Sequence, residues 1–247
     1  MDTVLVVTLL GAMVAGFVQG LSGFAFGLVA MSFWAWVLAP QVAAALAVFG
    51  ALTGQVIAAL AVRRGFGWRR LLPFVAGGLA GLPLGVALLP HLNVLWFKAI
   101  LGTLLVLWCP AMLLSSRLPR IAAKGRLGDA VAGLAGGTLG GIGGFTGVVP
   151  TLWCTLCGYD KDAQRSVIQN FNLSMLAVTM ATYLATGMVT RDMLPLFAMV
   201  APAMLVPSLL GARVYIGISA ARFRQVVLGL LTASGVALLA ASVPRLL

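Results

Sequence analysis

Apolar residues in this chain gather into eight long runs, residues 3–38, 42–62, 71–89, 94–114, 130–157, 166–189, 193–218 and 226–243, separated by short charged or Pro/Gly-marked breaks. Runs of this length read as helices in a bilayer. A basic stretch with Arg117, Arg120, Lys124 and Arg126 divides the runs into two sets of four. The pattern predicts an all-α integral membrane protein: a first transmembrane repeat over residues 1–116, a basic cytoplasmic linker over 117–127 and a second repeat over 128–247.

The two sets share detail. Gly16, Gly20, Gly23 and Gly27 match Gly136, Gly140, Gly143 and Gly147 at one constant offset, and each set continues with a loop-then-proline step, at Pro73 and at Pro195. Duplication explains this most economically. The first run of each set is too long for one crossing: residues 3–38 as a single helix would extend about 54 Å against a hydrocarbon core of about 30 Å. The run is therefore either a hairpin that enters and returns on one face or a broken helix that crosses once. Loop charge favours the hairpin. With the loops at residues 63–70 and 117–126 inside, the hairpin also puts Lys161, Arg165, Arg213, Arg222 and Arg224 inside, as the positive-inside rule asks. Each repeat then crosses an odd number of times, so the two would be inverted, with both chain ends outside.

Composition narrows the function. The chain has 247 residues, 62% hydrophobic and 9% charged, with a mean hydropathy of +1.09. Its net charge of +11 is spread over short loops rather than one patch, which reports topology and not nucleic acid. The apolar start lacks the basic flank of a cleaved signal and is expected to stay. Cys109, Cys154 and Cys157 lack the partners of a metal site and read as apolar packing, so no cofactor is expected. Trp34, Trp36, Trp96 and Trp153 fall near run ends, as an interfacial belt predicts, whereas Trp108 falls inside a run.

The five acids, Asp2, Asp129, Asp160, Asp162 and Asp192, lie in loops or at run ends, and the sole histidine, His91, is in a predicted external loop. A core without carboxylates favours an anionic or neutral guest over a cation or a proton relay, and lacks the acid/base pair of a hydrolase. An anion can be held instead by half-helix N-termini and exposed glycine N–H groups. The candidate substrate-binding residues are Gln19, Gly20, Ser22, Gly23 and Phe24 in the first cluster. The second supplies Thr138, Gly140, Gly143, Gly144, Phe145 and Thr146, and Gln169, Asn170 and Asn172 stand at the head of the sixth run. The competing reading is that the Gly-x-x-x-Gly pairs only let helices pack closely. Lys98 can snorkel from its run to the interface, and Arg213 is either a vestibule charge or an ordinary topology charge.

At these residues the chain resembles the TauE/SafE-type sulfite exporter family, also called the toluene sulfonate uptake permease family. The likeness rests on the duplicated glycine motif followed by Pro150, the basic linker between four-segment halves, the stretch from Arg165 to Gln169, and Gly211-Ala212-Arg213 before Phe223-Arg224. One departure is that Leu21 and Phe24 stand where the second copy has Gly141 and Gly144. The resemblance implies a secondary transporter of the bacterial inner membrane that moves a small sulfur-containing oxyanion or organosulfonate, such as sulfite or sulfoacetate. Its implied partners are that anion, the lipid bilayer and a coupling ion, proton or sodium; a homo-oligomer is compatible with it. A passive anion channel and a non-transporting membrane scaffold are the alternatives.

Overall fold

The computed structural model describes residues 2–22, 25–61, 67–115, 125–213 and 220–246, without the side chains of residues 22, 61, 212, 213, 220–222 and 224. Among these residues the chain is helical, with no strand. The helices are α1 (Thr3–Ser22), α2 (Phe26–Trp34), α3 (Pro40–Ala61), α4 (Trp68–Leu88), α5 (Val94–Leu113), α6 (Arg126–Gly143), α7 (Val148–Leu156), α8 (Lys161–Ala185), α9 (Leu194–Arg213) and α10 (Ala220–Ser242). Among the described residues six stretches are long and apolar enough to cross a membrane: Thr3–Leu21, Pro40–Leu60, Trp68–His91, Val94–Leu113, Arg191–Gly211 and Gln225–Arg245. The protein is a multi-pass membrane protein. The sixth run, α8, is outside that set because Gln169, Asn170 and Asn172 dilute its hydropathy.

Both over-long runs are broken, and both fold back on themselves. In the first, Phe26 N donates to Gln19 Oε1 at 3.1 Å while Trp34 Nε1 donates to Thr8 O at 2.9 Å. Positions along α2 rise as those along α1 fall, so the pair is an antiparallel hairpin. In the second, Gly140 faces Thr146, Gly136 faces Pro150 and Gly128 faces Trp153. The hairpin alternative, left open by run length alone, is the one adopted.

Long-range packing pairs each hairpin with the other half of the chain. A Cβ on Gly77, Gly81 or Gly85 of α4 would meet the carbonyl of Ala130, Leu134 or Thr138 of α6, in steps of four on both helices. Those helices therefore run parallel at backbone contact, which only glycine permits here. The same holds for α1 and α9, where Gly16 abuts the Met204 backbone and Gly211 that of Phe17. Helices α5 and α10 run antiparallel, Gly102 facing Leu239 and Gly235 facing Leu105.

The larger apolar core includes Phe26, Met31, Trp34, Leu46, Leu105 and Phe145; a smaller one joins Phe74, Cys154, Ile168 and Phe171. Trp34 corrects the belt expectation. It is fully buried, its indole spent on Thr8 O, because a return helix needs a donor to tie its end to α1. Trp36 and Trp96 are exposed, as a belt residue should be, and Trp108 is buried.

Candidate functional site

The tips of the two hairpins meet. Gly27, in the first turn of α2, lies where a Cβ would be 3.5 Å from Gly144 O and 3.6 Å from Gly143 O. A small cavity opens there, lined by Gln19, Ala25, Phe26, Gly27 and Leu28 of hairpin one and Gly144, Phe145, Thr146, Gly147 and Val148 of hairpin two. Ala51 and Gln55 of α3, Trp108 of α5, and Asn172 and Leu176 of α8 close it.

The two tips are built differently. Ala25 turns the first in the left-handed region, φ 92°, a conformation that an L-residue with a Cβ adopts at a cost. Gln19 then offers its carbonyl oxygen to the first N–H of α2, a side-chain cap supplied from seven residues upstream. The second tip turns at Gly144, φ 76°, with Gly144 N donating to Gly140 O at 2.8 Å and Phe145 N to Leu139 O at 3.3 Å. The left-handed glycine with its bond from Gly144 N back to Gly140 O is an αL-type helix end. Tyr183 OH takes Gly141 O at 2.7 Å, so the carbonyl end of α6 is largely satisfied by protein donors.

The start of α7 is not. Val148 N reaches Phe145 O, and Pro150 has no N–H, but the N–H groups of Thr146, Gly147 and Val149 have no backbone acceptor among the described residues. Two helix N-termini, those of α2 and α7, thus meet at one hollow, beside the C-termini of α1 and α6 that end at the same two tips. The N–H groups of Gly144 and Phe145 are consumed by the turn itself, so of the second cluster's tip it is Gly147, with Thr146 and Val149, whose N–H groups are left without a backbone acceptor.

The polar side chains on the cavity are all neutral and all buried: Gln19, Gln55, Thr146 and Asn172. Thr146 Oγ1 donates to Asn172 Oδ1 at 2.9 Å, and the Asn172 amide lies over Gly147, where any Cβ would strike it. Trp108 Nε1 donates to Val148 O at 2.7 Å and ties α5 to the start of α7. Phe26, Phe145, Trp108, Leu28 and Leu176 supply an apolar wall.

The structure thus brings Gln19, Gly144, Phe145, Thr146 and Asn172 together, and leaves other sequence candidates elsewhere. Thr138 Oγ1 lies at the α4–α6 seam, 3.1 Å from Gly81 O and 3.0 Å from Leu134 O, because the seam brings an acceptor to it. Gly140 and Gly143 pack within hairpin two, against Thr146 and Phe145, and Gly20 is half-buried on α1. Asn170 Nδ2 bonds Ser166 O at 2.8 Å on its own helix, and neither it nor half-buried Gln169 is among the lining residues. Gly23, Phe24 and the side chain of Ser22 lie outside the described residues. Gln55 was missed because it is a lone amide inside an apolar run, whereas Asn172 stands in a cluster of three. Lys98 lies with Nζ 4.7 Å from the centroid of the Trp36 ring, away from the cavity.

Asp129 also departs from its sequence reading as a run-end acid. It is buried in the first turn of α6, accepting from Trp153 Nε1 at 2.8 Å and from Tyr159 OH at 3.2 Å. Burial, then the Asp129 charge, pushes the Tyr159 phenol above its usual range, so it stays a donor. Beyond it Arg70 stacks 5.9 Å over the Tyr159 ring and sits 3.9 Å from Asp160, an exposed pair of little energetic weight.

No curated protein and no solved structure matches the chain. The family model "Sulfite exporter TauE/SafE" matches residues 8–238, a span that takes in both hairpins and every helix lining the cavity, and the chain belongs to that family.

Proposed function

We propose that the protein is a secondary transporter of the bacterial inner membrane that moves a small sulfur-containing oxyanion or organosulfonate by alternating access, holding it between the two hairpin tips. The observation that carries the reading is the cavity where both return helices begin, walled by neutral donors and aromatic rings with no charged side chain among its described lining residues. Such a hollow suits an anion with a carbon skeleton better than a metal ion or a proton, since no lining carboxylate competes for cations.

Topology supports the same reading. Helices α2 and α7, of nine residues each, are about 14 Å long, roughly half the hydrocarbon core, so each hairpin turns within the bilayer. Following the chain through these turns puts Arg69, Arg70, Arg126, Lys161 and Arg165 on one face and His91, Arg191, Asp192 and Arg245 on the other. The first face is cytoplasmic by the positive-inside rule. The parallel seams α1–α9 and α4–α6 and the antiparallel pair α5–α10 are what two four-segment repeats inverted about the membrane plane would produce.

The seams also bear on motion. Each hairpin is bedded, backbone to backbone, on a helix of the opposite half, so the bodies that rock are exchanged units: α1 and α2 with α9, and α6 and α7 with α4. Proton or sodium coupling would act on the balance between the two outlets.

The test is flux in proteoliposomes. A transporter accumulates labelled sulfite or a labelled sulfonate against its gradient when a proton or sodium gradient is imposed. Flux that only runs downhill favours the channel, and none at all favours the scaffold.

A further inference from the structure

Helices α7 and α8 lie antiparallel between the cavity and the face assigned above as cytoplasmic, and two bonds set their register. Thr146 Oγ1 donates to Asn172 Oδ1 at 2.9 Å at the cavity, and Gln164 Nε2 to Thr155 Oγ1 at 2.9 Å, about 12 Å further along α8 toward that face. Gly147, Thr151 and Thr155 follow in steps of four on one side of α7, as Gln164, Ile168 and Asn172 do on α8. Thr151 is thus level with Ile168, midway between the two bonds. Thr155 returns its hydroxyl to Thr151 O at 2.8 Å, an ordinary use of a helical threonine. Thr151 does not follow suit: its residue is 5% exposed, and its Oγ1 is buried with no hydrogen-bond partner among the described residues. A buried hydroxyl left unbonded is costly, and a fold that keeps one calls for a reason.

The rest of the seam supplies it. Exposure grows from buried Asn172 and Thr151, through half-buried Thr155 and Gln164, to exposed Lys161 and Arg165. At the offset that relates the two glycine motifs, Thr151, Thr155, Gln164 and Ile168 correspond to Met31, Ala35, Ala44 and Val48, all of them apolar and buried. We infer that the α7–α8 seam is the cytoplasmic leg of the anion's path and that the Thr151 hydroxyl is its binding contact between cavity and mouth. This rests on the transport reading above and adds a route to it. An oxyanion that leaves the tips loses their donors before it reaches water. The Thr151 hydroxyl offers it a charge-assisted hydrogen bond at that point, and Lys161 and Arg165 draw it to the mouth. The matched positions of α2 and α3 offer no polar side chain, so the external leg opens only when α2 parts from α3.

Thr151→Val keeps the shape of the side chain and removes the hydroxyl. In proteoliposomes the flux of labelled methanesulfonate should fall about tenfold or more, the loss expected for one hydrogen bond to an anion. The unfolding temperature should hold or rise, because an unbonded buried group has been deleted. Thr151→Ser should recover most of the flux. Thr151→Cys in inside-out vesicles should react with sulfonatoethyl methanethiosulfonate, an anionic thiol reagent, faster than the parent chain, whose Cys109, Cys154 and Cys157 are buried. Excess methanesulfonate should slow that reaction. Wild-type flux in Thr151→Val, a serine variant no better than the valine one, or a cysteine that does not react from the cytoplasmic side overturns the inference and leaves transport standing. A Thr151→Val protein that unfolds overturns it too, since the hydroxyl would then be bonded within the fold. No flux in the wild-type protein overturns the transport reading and this inference with it.

Discussion

Hairpin one and hairpin two share a shape but not their fastenings. The second is bedded on α4 through glycines on both helices, Gly77, Gly81 and Gly85 meeting Ala130, Leu134 and Thr138, and Gly133, Gly137 and Gly141 meeting Phe74, Gly78 and Leu82, and its base is tied by a carboxylate, Asp129, to Trp153 and Tyr159. The first meets α9 at Gly16 and Gly211, and its base is tied by a backbone carbonyl, Thr8 O, to Trp34. Its tip is also the one that turns on an alanine rather than a glycine. Hairpin two is thus the firmer element and hairpin one the looser. Under the alternating access proposed above, hairpin one is the element expected to open, since a moving element is drawn from the less stable part of a fold.

Substitutions at matched positions can break that comparison. The largest effect should come from the seams. Gly137→Leu drives a side chain into the backbone of Gly78, which cannot yield, and should cost about 3 kcal/mol or more. Gly16→Leu strikes Met204 in a seam with fewer glycines and should cost less. Thermal unfolding in detergent, read side by side, checks the order, and equal losses would remove the asymmetry. The ties at the bases come next. Trp153→Phe deletes a hydrogen bond to a charged acceptor, about 2 kcal/mol, and Trp34→Phe one to a neutral carbonyl, about 1 kcal/mol. Protease sensitivity of the respective return helices should follow that order. The smallest effects lie at the tips and have opposite signs. Ala25→Gly should stabilise by roughly 1 kcal/mol by relieving a left-handed alanine, and Gly144→Ala should destabilise by roughly the same amount.

Much of this was legible in the sequence because membrane folding leaves large signals. Run lengths, the constant glycine offset and the side of the loop charges led to paired hairpins, and a soluble protein would have offered no such ruler. The site was legible only at its breaks. Gln19, Thr146 and Asn172 stand at glycine-broken turns or in a cluster of amides, whereas Gln55, although next to Gly54, reaches the cavity from a helix that runs unbroken through that position. Thr138 shows the converse. It sits within the glycine motif, but the parallel seam with α4, a contact between distant stretches of chain, turns its hydroxyl to Gly81. Trp34 and Asp129 were misread for a related reason. Proximity to a run end suggests an interface, but a hairpin's run end is also where its two arms must be tied together.

The claim on which the account depends is that the guest sits between the tips, and Gly27 tests it most directly. Its nearest neighbours to an added Cβ are at 3.5 to 3.7 Å, ordinary contact distances, so Gly27→Ala fits without disturbing either seam. Larger side chains there would press on Gly143, Gly144 and Phe145 of the facing tip, at the wall of the cavity. Uphill flux measured across Gly27→Ala, Gly27→Val and Gly27→Leu, with unfolding temperature followed in each, should fall in step with side-chain volume and vanish at leucine while the protein stays folded. Wild-type flux through a folded Gly27→Leu protein would contradict the account.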